Sequence, residues 1–133
     1  MKYYLQTLIK LLLPTLGGLI VGSLLAGIAI TLSFKPSTIL EALVEGSELG
    51  LISTVFACVP TFLWGAPLYA LALSKGKASY FSAALIGATP GLILLLPQRT
   101  GFAELCLDFG IAISICTHFF AKHFTTHPLS EAR

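Results

Sequence analysis

Charge is what this sequence has least of. Eight Lys or Arg and six Asp or Glu among 133 residues make 11% charged, against about 25% in an ordinary soluble domain. That shortage excludes a water-covered globule of this size. A net charge of +2, with no basic stretch beside an aromatic cluster, excludes nucleic acid as a partner. Cysteine is also sparse. Cys58, Cys106 and Cys116 have no metal-type spacing, and their odd number argues against a disulfide framework. They read as small apolar packing residues. No glycine-rich phosphate loop and no strand pattern can be found. The Ser, His and acidic residues fall at different expected depths, so no hydrolytic triad can be assembled. No catalytic residue, cofactor or metal is therefore assigned, and the chain is not expected to be an enzyme.

What is abundant is apolar length. Hydrophobic residues make up 56% of the chain, with a mean hydropathy of +0.89. A bilayer-spanning helix needs ~20 apolar residues to cover ~30 Å of hydrocarbon, and four stretches are read as such spans: 11–34, 49–73, 78–96 and 102–121. The first run, of 24 residues, exceeds the roughly 7–15 of a signal-peptide core, so it is read as a membrane helix. The expected fold is an all-α membrane protein, a single four-transmembrane-helix bundle over 1–133.

Orientation follows from the bases. With four spans, one side carries Lys2, Lys10, Lys75, Lys77, Lys122 and Arg133 against Glu131 alone. The other carries Lys35 and Arg99 against Glu41, Glu45, Glu48, Glu104 and Asp108. Both termini are expected in the cytoplasm, and the small loops suit a bacterial inner membrane. Only the first outer segment, 35–48, is long enough to hold structure. Thr38 and Glu41 fit a capping box and Gly46 a stop. A short amphipathic helix lying on the outer surface is predicted there, with Glu41, Glu45 and Glu48 as an acidic stripe open to a partner.

Helices in lipid associate by close packing of small residues. Gly18, Gly22 and Ala26 on the first span, and Ala83, Gly87 and Gly91 on the third, form ladders at intervals of four. The partner of each ladder is open: a helix of the same chain or one of a second copy. Pro60 and Pro67 on the second span and Pro90 on the third each remove a backbone donor. They are read either as plain kinks or as the broken helices that line transporter sites. Glu104 and Asp108 begin the fourth span. Asp108 lies six residues past its expected start, ~9 Å along the axis, and is expected to face the bundle with Arg99 as partner, in a structural pair or a binding or gating role. His118, His123 and His127 are read as surface histidines of the inner tail.

Packing faces without catalytic groups point first to a non-enzymatic protein that binds another membrane protein or a second copy of itself: a subunit, assembly factor or immunity-type protein. The prolines and Asp108 support the alternative, a small oligomeric transporter or channel. The size and four-span plan are similar to small multidrug exporters, fluoride channels and immunity proteins against pore-forming bacteriocins. None of their signatures can be placed here. The exporters' first-span glutamate is missing, because 11–34 holds no acid.

Overall fold

A computed structural model describes residues 2–34, 36, 38–96 and 101–125. Among these residues five α-helices follow in order: α1 (Lys2–Ser33), α2 (Ile39–Pro60), α3 (Ala66–Ser74), α4 (Tyr80–Leu95) and α5 (Gly101–Thr125). A π-helical turn, Thr61–Gly65, joins α2 to α3 without a break, and no strand occurs among the described residues. Three helical stretches are long and apolar enough to cross a membrane: Gln6–Ser33, Ile39–Ser74 and Gly101–His123. The shorter α4, with 16 residues, measures ~24 Å at ~1.5 Å per residue.

α1 sits at the centre. Its buried positions recur as Leu11, Pro14 and Thr15, Gly18 and Leu19, Gly22 and Ser23, then Ala26 and Gly27, a stripe set by the helical period. α5 and α2 pack along this stripe, and α4 packs on α5. Pro14, expected in an opening turn, lies well inside α1, because the helix begins at Lys2.

The glycines set how close the helices come. A Cβ added at Gly22 would lie 2.5 Å from the Cα of Ile113 on α5, and one at Gly18 would meet the backbone of Thr117 just as closely. Towards the other end, Gly27 of α1 meets Gly46 and Gly50 of α2. Gly87 and Gly91 of α4 abut Gly110 and Leu107 of α5. Both small-residue ladders thus face helices of the same chain, while Ala26 and Ala83 join buried apolar clusters.

The surface helix predicted between the first two spans does not form as a separate element. Thr38 caps α2 as its sequence suggests, its hydroxyl accepting from the Glu41 N–H at 3.1 Å. The helix then runs straight through Gly46. The reason is packing. Ala42, Gly46 and Gly50 form a buried stripe at intervals of four, and Gly46 seats against the Ile28 backbone, so it serves as a contact and not a stop. Ile39–Ser74, at 36 residues, is ~54 Å long, well beyond the ~30 Å of hydrocarbon. Glu45 and Glu48 are exposed on its first half, and Glu41 is half-buried.

The link to α4 is local chemistry. Gly76 takes φ +65°, and the Gly76 and Lys77 N–H groups bond back to Leu73 and Ala72 carbonyls at 3.0 and 2.9 Å, closing α3 in the glycine-terminated manner. Ser79 and Ser82 then form a reciprocal capping box at the start of α4. This turn lets α3 and α4 run antiparallel. Leu8, Leu11, Leu73, Ala78 and Ala121 meet in one cluster, which gathers the start of α1, the α3–α4 turn and the end of α5 at one end of the molecule.

Candidate functional site

The two prolines of the second helix bracket its irregular turn. Pro60 ends α2 and Pro67 opens α3, and neither can donate to the helical ladder. Between them the hydrogen bonding widens, the Ala66 N–H reaching back five residues to the Thr61 carbonyl. Turns of this kind are frequent at functional positions in helices. Here the turn changes how the second half of the helix lies. α2 is held on α1 by its glycines, whereas after the turn α3 meets α1 near Leu11 and touches α4 only lightly.

The wedge so formed is a cavity of about 400 Å³, within the ~300–1,000 Å³ range of small-molecule sites. One wall is α2, the π turn and α3, with Pro60, Trp64, Gly65 and Tyr69. The other is α4 and α5, with Ala83, Gly87, Pro90, Phe109 and Ile113, and Thr15 of α1 forms the floor. A side opening lies where Pro60, Trp64, Pro90 and Ile93 line a second depression. Trp64 and Ile93 are half-exposed, and Leu63 beside them is 76% exposed. This mouth therefore faces outward through apolar residues. A Cβ added at Gly65 would meet nothing within 4 Å.

The lining at one end of the cavity includes two buried threonines. Thr15 is 1% exposed and Thr117 6%; both line it, and neither hydroxyl has a hydrogen-bond partner. The Thr117 hydroxyl sits against Gly18 of α1, in the seam between α1 and α5. Tyr69 completes this end. A 2.6 Å hydrogen bond joins its hydroxyl to Nδ1 of His118, and the Tyr80 ring meets the His118 ring edge-on with centroids 4.3 Å apart. The remaining lining includes no Asp, Glu, Lys or Arg.

This cluster corrects the reading of His118 as a surface histidine. It is 8% exposed, because it lies next to Thr117 on the stripe of α5 that meets α1 and α3. His123 does reach the surface, its ring against Phe119, and His127 falls outside the described residues. The signal that sequence reasoning missed was Tyr69. A tyrosine hydroxyl well inside an apolar span requires a partner, and His118 was the only nearby histidine on a span that could supply one.

The acids fall elsewhere. Asp108 and Glu104 are exposed and lie away from the cavity. The expected inward Asp108 does not form, because Ala103, Phe109, Ile113, Thr117 and Ala121 occupy the buried face of α5 and leave position 108 on the opposite side. Arg99, its expected partner, lies outside the described residues. Of the three prolines, Pro60 and Pro90 line the cavity; Pro67 does not. Among the described residues no three His, Cys, Asp or Glu side chains come together as a metal site would need.

Three long apolar helices and an apolar cavity between them make this an all-helical integral membrane protein with an internal pocket among the described residues. No family model matches the chain, and no curated protein and no solved structure shows significant similarity to it.

Proposed function

We propose that this protein is a small, non-enzymatic membrane protein that takes a largely apolar molecule from the bilayer into its cavity, as a transporter or lipid-binding component. The observation that carries the reading is the cavity itself, held open by the Pro60–Pro67 turn and entered between Trp64 and Pro90. Molecules dissolved in the bilayer reach such a mouth directly, without passing through water. Because α1 and α4 spend their small-residue faces inside the chain, those faces no longer argue for a partner protein.

In this reading α4, with its flanking residues, is a fourth span and both termini lie in the cytoplasm of a bacterial inner membrane. Lys10, Lys75, Lys77 and Lys122 all fall near the end where α1 starts and α5 finishes, which supports the orientation by the bias of bases. Binding to another membrane protein or a second copy remains the second reading, and one observation favours it. Asp108 is exposed seven residues into an apolar helix, ~10 Å along its axis, where lipid makes a poor neighbour for a carboxylate.

Trp64 is the single tryptophan and lines the mouth, so it reports occupancy. In nanodiscs, an amphiphile brominated on its chain should quench Trp64 saturably, and native mass spectrometry should find about one ligand per chain. Gly65→Leu, whose side chain would grow into open space, should abolish saturable quenching while leaving the fold intact. Equal, non-saturating quenching in both proteins would remove the ligand reading and leave the partner reading.

A further inference from the structure

The cavity has a direction as well as a size. On α5 its lining recurs turn after turn, at Phe102, Cys106, Phe109, Ile113 and Thr117, a run of ~22 Å at ~1.5 Å per residue. On α4 the lining extends from Ala83 to Leu94, and these two walls are in register, because Gly87 abuts Gly110 and Gly91 abuts Leu107. The third wall follows the second span from Ser53 through the π turn to Tyr69. The cavity is therefore a slot along the α4–α5 seam. Because α5 is long and apolar enough to cross a membrane, the slot lies lengthwise in the bilayer. Spread over ~22 Å, its 400 Å³ leaves a mean cross-section of about 18 Å². A transmembrane helix, ~10–12 Å across, needs several times that. One extended polymethylene chain fills it.

The two ends differ. At one, Tyr69 and Ala83 belong with Leu11 and Ala121 to a buried cluster that closes the slot. At the other, the walls stop at Leu94 and Phe102, beside the last residue of α4 and the first of α5. Phe102 is 65% exposed there. Ends of membrane helices lie where hydrocarbon gives way to lipid headgroups. Along its length the slot offers no Asp, Glu, Lys, Arg or His, and Ser53, Thr61 and Ser114 are scattered along the walls. Nothing inside gathers a polar head.

We infer that the slot holds one straight acyl chain of a membrane lipid, its methyl end towards Tyr69 and Ala83 and its head outside, beyond Leu94 and Phe102. The chain enters sideways past Trp64 and Pro90, and the second chain of a two-chain lipid stays in the bilayer. Recognition is of chain shape: a straight chain fits, whereas methyl-branched chains and fused rings are too broad. The inference rests on the ligand reading above and adds the ligand's class and its pose.

Nanodiscs of a methyl-branched lipid supply a bilayer that does not compete for the slot. Straight-chain lysophospholipids, brominated near the head, at mid-chain or near the methyl end, are titrated into them. Trp64 stands opposite Pro90 and Ile93, and Pro90 lies ~6 Å from Leu94 but ~10 Å from Ala83 along α4. Saturable quenching of Trp64 should therefore be strongest for bromine near the head and weakest for bromine near the methyl end. Unlabelled lysophospholipid should displace the probe, and a sterol should not. Native mass spectrometry of the same discs should find a single straight-chain lipid on each protein chain. Cys106→Phe, which fills the slot one turn from Phe102, should lose the saturable quenching. A flat or reversed gradient, displacement by the sterol, or branched host lipid retained in place of the probe overturns the inference and leaves the cavity to another apolar molecule. So does a Cys106→Phe protein that melts like the parent and keeps the gradient; if that variant does not fold, the gradient in the parent decides. No retained lipid and no saturable quenching by any probe overturns the ligand reading itself.

Discussion

The helix from Ile39 to Ser74 packs on α1 on either side of Pro60 but lifts away in the turn between. Before Pro60 it is pulled onto α1 so closely that Gly46 and Gly50 meet α1 main chain, with added Cβ atoms 2.6 Å from the Cα of Ile28 and 2.8 Å from that of Leu24. In the turn after Pro60 it stands off, Gly65 meeting nothing within 4 Å, before α3 returns to α1 through Ala66, Tyr69 and Ala70. Both halves contain glycine, so composition does not separate them. The difference is register. Ala42, Gly46 and Gly50 repeat at four and form one stripe, whereas Gly65 stands alone in a turn bracketed by two prolines. In a bilayer, where the hydrophobic effect does not press helices together, a small residue closes a gap only if the next small residue continues the stripe.

The sharpest way to break this contrast is to put the same side chain on each side of it. Gly22→Leu would drive atoms into the Ile113 main chain, which cannot move aside as a side-chain tip would. It should lower stability by about 3 kcal/mol, the upper part of the usual range for overpacking, or prevent the α1–α5 pair from forming. Gly65→Leu should change stability by less than about 0.5 kcal/mol, as for substitutions away from packed features. Thermal melts of the two variants in one detergent check the pair. If both fall equally, the space at Gly65 is not a cavity of the folded protein.

Next in size is the polar base of the cavity. Tyr69→Phe keeps the ring and removes the partner of buried His118. It should cost about 1–3 kcal/mol, the penalty for an orphaned polar group. Measured by thermal melting, Tyr80→Phe serves as the control, because the Tyr80 ring and not its hydroxyl meets His118. Loss in the first variant alone would show that the hydrogen bond, beyond the aromatic packing, holds α3 to α5.

How much of this was legible beforehand depends on which interaction decides each feature. Helical segments were readable because bilayer length and apolar runs fix them, and the small-residue ladders were readable because their spacing is the helical period. Their partners were not, since a ladder at Gly18 and Gly22 fits a second copy as well as it fits α5. Gly46 misled for the same reason. A glycine after an amphipathic turn looks like a stop until the facing Ile28 backbone is known. The prolines were visible as breaks, but the cavity between them depends on α4 standing opposite, a long-range fact. Thr15 and Thr117 gave no local sign of sharing a site, being 102 positions apart in the sequence.

The smallest expected effect concerns Asp108. Exposed on α5 and remote from the cavity, it has no packing to lose, so Asp108→Asn should leave the melting of the isolated chain within about 0.5 kcal/mol of the parent. Saturable quenching of Trp64 should be equally untouched. The informative readout is assembly. A carboxylate ~10 Å along an apolar helix is costly against lipid and inexpensive against a hydrogen-bonding partner. If a second copy or another membrane protein covers this face, Asp108→Asn should shift native mass from complex towards single chain without altering ligand uptake. If the mass is unchanged, the face needs no partner through this residue, and the cavity stands as the feature on which function turns.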